Sequence, residues 1–371
     1  MDYDVIIVGG GLGGLISSIQ LAEKDYKVLL IEKYAYPFNK VCGEYVSNEV
    51  RPFLEHLGLD LEHLGCTNIN KFKLTSTKGK SLETNLKMGG FGISRYTLDY
   101  ELYNIAQKSG VTFLLNTSVD DIQKINEKFF VETNTNQTFE TNLVIGSYGK
   151  RGKLDKSLFR QFPEQKQSFV GVKYHIKYDF PKDLIALHNF NGGYCGISAI
   201  EDDKYCLCYL SERKNVKQSG GIHEMELEFM CQNPFLFDIF QNAEFLFARP
   251  LVINEIIFTP KSAVHKNILM VGDTAGLITP LAGNGMSIAI RAGVIASDII
   301  NDFLRKKISR AEMEETYTNQ WDKNFRNRLW RGRQLQKLFG DEFNSNLAIS
   351  TLKKVPFLLN PIIRATHGKT L

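Results

Sequence analysis

The 371-residue chain is short of several things, and each shortage excludes a class of protein. Six cysteines are too few for a disulfide scaffold. None stands in Cys-x-x-Cys spacing. Cys206 and Cys208 are two apart, which places them on one face of a strand, so a metal site is not expected. The net charge of +4 lacks the clustered basic excess of a dedicated nucleic-acid binder. No apolar run reaches the roughly 18 to 20 uncharged residues of a membrane span. No charged n-region followed by an apolar h-region precedes the first strand pattern, so a secretory signal is not expected. What remains, 43% apolar and 23% charged residues, is an ordinary globular composition. The expectation is a soluble, cytoplasmic protein.

What is there begins at residue 5. Val5 to Val8 form a continuous apolar run, as a strand buried on both faces should. Gly9, Gly11 and Gly14 follow in G-x-G-x-x-G spacing. Gly9 permits a tight turn, Gly11 lets a pyrophosphate approach the backbone, and Gly14 lets helix and strand pack closely. Leu12, Leu15, Ile16, Ile19 and Ala22 then recur at helical spacing. The helix N-terminus offers free N–H groups and positive dipole to phosphates. "VLLIE" reads as the second strand. It ends in Glu32, about 20 residues after the glycines, where a carboxylate can accept from ribose hydroxyls. The stretch predicts a dinucleotide and leaves NAD and FAD open. Glu32 disfavours NADP there, because it would repel a 2′-phosphate.

A second stretch, residues 267–300, bears on that choice, with a buried helix and glycine loop as the plainer alternative. A buried strand ends in Gly272 and Asp273, where a carboxylate can accept from a sugar-alcohol hydroxyl. Pro280, Gly283 and Gly285 lead into a helix lined with Ala289, Ala292, Gly293 and Ala296. Its positive end would lie beside whatever fills the loop, which suits the anionic edge of a reduced flavin.

Gly9 to Glu32 together with "VGDTAGLITPLAGNGMSIAIRAG" resembles the FAD-dependent oxidoreductases of the para-hydroxybenzoate hydroxylase type, and among them the geranylgeranyl reductase branch. The resemblance implies an α/β fold: a Rossmann-like FAD-binding domain with an inserted antiparallel β-sheet substrate domain and a helical C-terminal tail. It implies FAD bound by Gly9, Gly11, Leu12, Gly13, Gly14, Glu32 and Lys33. Gly272 and Asp273 would bind the ribityl chain, and Pro280, Gly283, Asn284, Gly285 and Met286 would border the flavin ring. "ISRYTLDYEL" matches the family's Arg-x-x-Leu-Asp pattern, which makes Arg95 the FAD-facing arginine. A permanent cation suits a diphosphate. Val119 would offer backbone contacts to adenine. "KVCGEYVSNEV" resembles the branch's Cys-Gly loop near the ring, so Cys42 is the side-chain candidate for catalysis, with a buried structural thiol as the equal alternative.

Two departures stand out. Where the family carries Asp in its Asp-Gly motif, "VIGSYGKRGKLD" has Tyr148. That puts direct reduction by NADPH in doubt. With no second glycine motif, NAD(P)H would bind only as a transient reductant. The branch's Tyr-x-Trp-x-Phe-Pro motif is reduced to Tyr194, the substrate-contact candidate.

The expected FAD domain is 1–68, 93–160 and 260–305, and the substrate domain 69–92 and 161–259, with a helical region at 306–371. Val170, Val172, Tyr174, Ile176 and Tyr178 alternate as one face of a strand. The histidines are scattered, and the sequence names no partner for any of them. "NFRNRLWRGRQLQKLF" interleaves basic residues with Phe325, Leu329, Trp330, Leu335 and Leu338. It reads as an amphipathic helix capping the substrate domain. A peripheral contact with an acidic membrane is the alternative. "VPFLLNPII" would close a lipid tunnel or simply pack.

The leading expectation is flavin hydride transfer to or from an apolar small molecule, of lipid, isoprenoid or polyketide-like kind. The alternative is a monooxygenase that hydroxylates an aromatic or apolar substrate through a flavin C4a-hydroperoxide. A non-enzymatic flavin-binding protein ranks third.

Overall fold

The computed structural model describes residues 2–150, 153–160, 168–256, 258, 261–276, 285–336, 340, 342–354, 363 and 367–371. Two sheets organise the chain. The first has the order Val264–His265, Ile268–Met270, Thr138–Gly146, Tyr3–Val8, Val28–Ile31, Thr112–Leu114. Its central strands run parallel, with Ile6 between Leu29 and Val144. Val5, Ile6 and Ile7 are fully buried, which is why this strand reads as an unbroken apolar run.

The helix Leu12–Ala22 follows the first strand and packs on the helix Gly285–Leu304. Small residues make that approach close. A Cβ on Gly293 would lie 2.8 Å from the Gly13 carbonyl oxygen. Ser17 and Ser297 hydrogen-bond to backbone across the same seam.

The second sheet has the order Glu244–Phe245, Phe169–Lys177, Tyr205–Glu212, Gly193–Ala199, Leu184–Phe190, Thr67–Thr75, Ser81–Gly92, Tyr45–Ser47. Leu251–Ile256 also pairs with Phe169–Lys177. The sheet is antiparallel apart from one junction: Leu184–Phe190 runs parallel to Thr67–Thr75. Those two strands come from separate stretches of chain and no hairpin joins them, so nothing local dictates their direction.

The two faces of this sheet differ. Val170, Val172, Tyr174 and Ile176 form one core with Leu207, Tyr209, Met225 and Leu236, under the helix Pro234–Asn242. The other face turns Lys173, His175, Cys206 and Ser198 toward the loop at residues 40–44.

The C-terminal region is helical as expected, with Arg310–Trp321, Asn327–Gln336 and Glu342–Lys354. Its docking differs from expectation. Tyr317, Trp321, Phe325 and Leu329 join the core of the first sheet, and Tyr317 donates to the Met270 carbonyl at 2.7 Å. The later helix reaches the second sheet, where Ile349 packs with Leu74, Tyr194 and Leu210. The aromatic spacing of the tail is met by the larger apolar core, while Trp330 stays 56% exposed. Residues 355–362 of the Pro-bounded segment lie outside the described residues. Among the described residues no helix is long and apolar enough to cross a membrane.

Candidate functional site

The glycine turn after the first strand meets two different demands. Gly9 has φ +101°, and a Cβ there would collide with the Ser147 carbonyl. A Cβ on Gly14 would collide with the Gly9 carbonyl. Gly11 is the exception, because a Cβ there would meet nothing closer than the Ser147 oxygen at 3.9 Å. Gly11 also starts the first helix with extended backbone and no side-chain cap, so the first-turn N–H groups of Leu12, Gly13 and Gly14 have no capping side chain. A buried helix start that is uncapped and faces open space is a cradle for phosphate.

Glu32 is buried and accepts from Gly10 N at 2.7 Å and Tyr34 N at 3.2 Å. A carboxylate has about four acceptor positions, so two remain. Lys33 is exposed, with its ammonium 4.7 Å from the Tyr34 ring centre. Tyr36, which the sequence did not single out, donates to the Gly10 carbonyl at 2.6 Å and stacks on Tyr103. Val119 opens the strand Val119–Ile125 and is paired there with Thr133.

Gly272 and Asp273 form a single turn after Ile268–Met270, with Gly272 at φ +60°. Burial raises the Asp273 pKa, against the opposing fields of Lys261, Arg95 and Lys150. Its carboxylate makes no hydrogen bond among the described residues. A desolvated acceptor without a donor is where a hydroxyl chain would be welcome. Gly285 starts the long helix and Met286 is buried in the first core. Pro280, Gly283 and Asn284 lie outside the described residues. Tyr148 donates to Asp155 Oδ1 at 3.0 Å, and Arg160 donates to that same oxygen at 3.1 Å. A carboxylate thus stands beside the Tyr148 position, engaged by a buried arginine.

The loop at residues 40–44 joins the two sheets. Lys40 reaches Asp99 at 2.9 Å. Arg95, the first residue of the helix Arg95–Lys108, grips Asp99 with Nε and Nη2 at 2.7 and 2.8 Å. Its fork is therefore spent within its own helix, and its remaining side faces Cys42. Burial pushes the Cys42 thiol up, and Arg95 and Lys173 offset only part of this, so Cys42 is held as a thiol. Gly43 has nothing within 4 Å of a built Cβ and faces open space. Tyr194 is buried in the core under Ile349.

Three further residues meet at this loop. Glu44 is completely buried and accepts from Lys173 Nζ, from Arg95 N at 2.7 Å and from His175 Nε2 at 2.7 Å. Burial alone would raise the Glu44 pKa, but Lys173 and His175 together hold it below the usual carboxylate value. Sequence reasoning gave His175 no partner. The signal available was Lys173 and His175 alternating with the apolar residues of one strand. On a sheet covered on one face they would point to water, whereas here both faces are covered.

The uncapped first helix, the open space at Gly11, the spare acceptors of Glu32 and the buried Asp273, without a hydrogen bond among the described residues, all fit FAD. The chain matches the family described as FAD binding domain over residues 2–320. It is 26% identical to a digeranylgeranylglycerophospholipid reductase of Methanococcus vannielii, over 96% of each chain. It is 23% identical to conditioned medium factor receptor 1 of Dictyostelium discoideum, over 96% of this chain and 72% of that one. Among solved structures, a flavin-dependent brominase superposes with a TM-score of 0.80 at 18% identity, covering 98% of this chain and 93% of that one. A geranylgeranyl bacteriochlorophyll reductase-like protein of Thermoplasma acidophilum gives 0.76 at 16% identity, covering 98% and 95%. These two share the fold. With a family match over most of its length, the chain belongs to the FAD binding domain family and is an FAD-dependent oxidoreductase or monooxygenase.

Proposed function

We propose that this chain transfers hydride between FAD and an apolar small molecule of lipid, isoprenoid or polyketide-like kind. One observation carries the reading. The Cys42 loop is wedged between Arg95 and the second sheet, and its Gly43 faces open space beside a buried wall. A dry, shielded wall is what flavin hydride chemistry asks of a protein, since the cofactor supplies the redox step. The archaeal lipid reductase relative, matched end to end, supports an isoprenoid-type substrate.

In this reading Gly9, Gly11, Leu12, Gly13 and Gly14 present backbone to the diphosphate, and Glu32 holds the ribose. Lys33 and Val119 border the adenosine. Arg95 adds positive field on the diphosphate side rather than a bidentate grip. Gly272 and Asp273 take the ribityl chain. Gly285 and Met286, with Pro280, Gly283 and Asn284, border the ring. Tyr194 and Cys42 bound the substrate side. NAD(P)H serves as a transient donor. The exposed tail face of Lys323, Arg326, Trp330 and Arg331 is where the enzyme would rest on a membrane carrying its substrate.

The test is anaerobic reduction followed by turnover of a digeranylgeranylglycerophospholipid. The expected result is a yellow protein that bleaches with a nicotinamide or dithionite donor and is reoxidised by the lipid without oxygen. Label from ¹⁸O₂ appearing in the product would overturn hydride transfer in favour of hydroxylation. A colourless protein that takes up no FAD would overturn both.

A further inference from the structure

The geometry points to His175 as the site that exchanges the proton accompanying hydride transfer, with Glu44 fixing its tautomer and Lys173 keeping Glu44 ionised. This rests on the hydride-transfer reading above.

Glu44 comes from the loop after the second strand of the first sheet, whereas Lys173 and His175 come from Phe169–Lys177, next to the edge of the second sheet. Glu44 and Lys173 are completely buried and His175 is 5% exposed. A buried ion pair is weak evidence for stability, because desolvation cancels much of the attraction. Fastening the loop to the sheet would need only the pair. The histidine is the additional part, and the bonding pattern defines its state.

An ionised carboxylate can only accept. Glu44 accepts from Lys173 and from Arg95 N through Oε1, and faces His175 Nε2 through Oε2. His175 Nε2 must therefore carry hydrogen. That leaves Nδ1 as a lone pair in the neutral ring and as N–H in the imidazolium. Among the described residues Nδ1 has no hydrogen-bond partner, and unlike Nε2 of His188 it is not sealed from its surroundings. One ring nitrogen is held by a buried carboxylate and the other is left open, which is the arrangement of a proton-exchanging histidine.

The surrounding groups suit that role. Cys206 stands directly opposite His175 in the strand ladder, and burial keeps its thiol protonated and neutral. Lys173 and Arg95 are the nearby cations, with Arg95 tied to Asp99. Glu244 faces Lys177 on the neighbouring edge strand, and Phe247 packs on the imidazole with ring centres 4.8 Å apart.

Saturating a carbon–carbon double bond adds a hydride to one carbon and a proton to the next. With the hydride and its two electrons taken from reduced cofactor, itself reduced by a nicotinamide-class donor, the His175 imidazolium breaks its Nδ1–H bond as the new C–H bond forms. It returns to neutral imidazole with Nε2–H still on Glu44, and water reprotonates it. In the oxidative direction the neutral Nδ1 accepts the proton.

Two measurements test this. In ¹⁵N-histidine-labelled protein, two-bond proton–nitrogen spectra read the tautomer directly, with no need of turnover, and His175→Gln assigns the signal. The expected result is an Nε2–H tautomer for His175, and an Nδ1–H tautomer would overturn the proposal. In FAD-loaded enzyme, single-turnover oxidation by digeranylgeranylglycerophospholipid is followed against pH. Wild-type should slow as pH rises, because the proposed donor in the reductive direction is the protonated ring. His175→Gln should lose that limb and slow on the order of 100-fold, with FAD affinity unchanged. An unchanged rate and pH profile in FAD-loaded His175→Gln would overturn the proton site and leave the function reading standing. Failure of wild-type to bind FAD would overturn the function reading, and the tautomer spectrum would still decide the state of His175. Where His175→Gln does not fold, Glu44→Gln replaces it: with the amide oxygen kept by Lys173 and Arg95 N, the position facing Nε2 no longer accepts, so the Nε2–H preference should be lost, and an unchanged tautomer in folded protein would overturn the proposal.

Discussion

The two sheets of this protein do chemistry by different means. Around the first, recognition is carried by backbone. The uncapped helix start, the bare Gly11 and the turn at Gly272 present main-chain groups, and the two carboxylates involved keep acceptor capacity in reserve. Around the second, recognition is carried by side chains already spent on one another, as Glu44 takes three donors at once. A region built from backbone waits for its ligand to be completed. A region built from paired charges is complete beforehand, so it can position a reaction but tolerates little change.

The sharpest way to break that comparison is to unpair the buried charges. Lys173→Met leaves Glu44 without its main counter-ion and should destabilise the protein by about 3–5 kcal/mol. The double change Glu44→Gln with Lys173→Met should recover most of this, because no lone charge remains. Urea unfolding of wild-type and the two variants checks it, and a double mutant no better than the single would show that the pair is not the source. The same region predicts a pH effect. Glu44 and Asp99 both have folded pKa values below the ordinary carboxylate value. Their contribution is therefore fully present above the unfolded value of about 4. It is lost as pH falls through the lower folded value. Wild-type should lose urea resistance below about pH 4 more steeply than the double variant does. Parallel slopes would remove Glu44 from the account.

That contrast also explains what could be read from the sequence. Gly9, Gly11, Gly14 and Glu32 were legible because a backbone site needs its residues in local order, and strand, turn, helix and acid arrive within 30 residues. The Glu44 cluster was not, because 129 residues separate Glu44 from Lys173, and each looks ordinary alone. Alternation showed the apolar face of Phe169–Lys177 but could not show that its polar face is also covered. The parallel junction between Leu184–Phe190 and Thr67–Thr75 was hidden for a similar reason, since pairing across two separate stretches leaves no turn signal. The tail was read correctly as helical. Its destination was missed because amphipathic spacing tells that a face is buried, not against what.

A smaller effect sharpens the comparison within the glycine turn itself. Gly14→Ala forces a methyl against the Gly9 carbonyl and should cost about 1–3 kcal/mol through overpacking. Gly11→Leu has room for its Cβ, so apo-protein stability should stay within about 0.5 kcal/mol of wild-type. It should nevertheless abolish FAD uptake, because the side chain fills the cradle. Thermal melts of apo-protein and flavin fluorescence separate the two. A Gly11→Leu protein that still binds FAD would move the phosphate site away from the first helix.

The smallest expected change lies in the tail, where the two regions meet. Trp330 is exposed although Trp321 and Phe325 on the same run of helices are buried. Its neighbours on the outer face are Lys323, Arg331 and Arg326, the last paired with Asp322 at 3.2 Å, so the face keeps a net positive charge and carries one large aromatic ring. Nothing in the fold needs that ring, and Trp330→Ala should change stability by less than about 0.5 kcal/mol. If the face rests on lipid, sedimentation with vesicles of anionic phospholipid should fall severalfold in the variant and in high salt, because both the ring and the charges contribute. Binding that is equal in wild-type and variant, or absent in both, would make the face a solvated one. The apolar substrate would then have to reach the enzyme by another route.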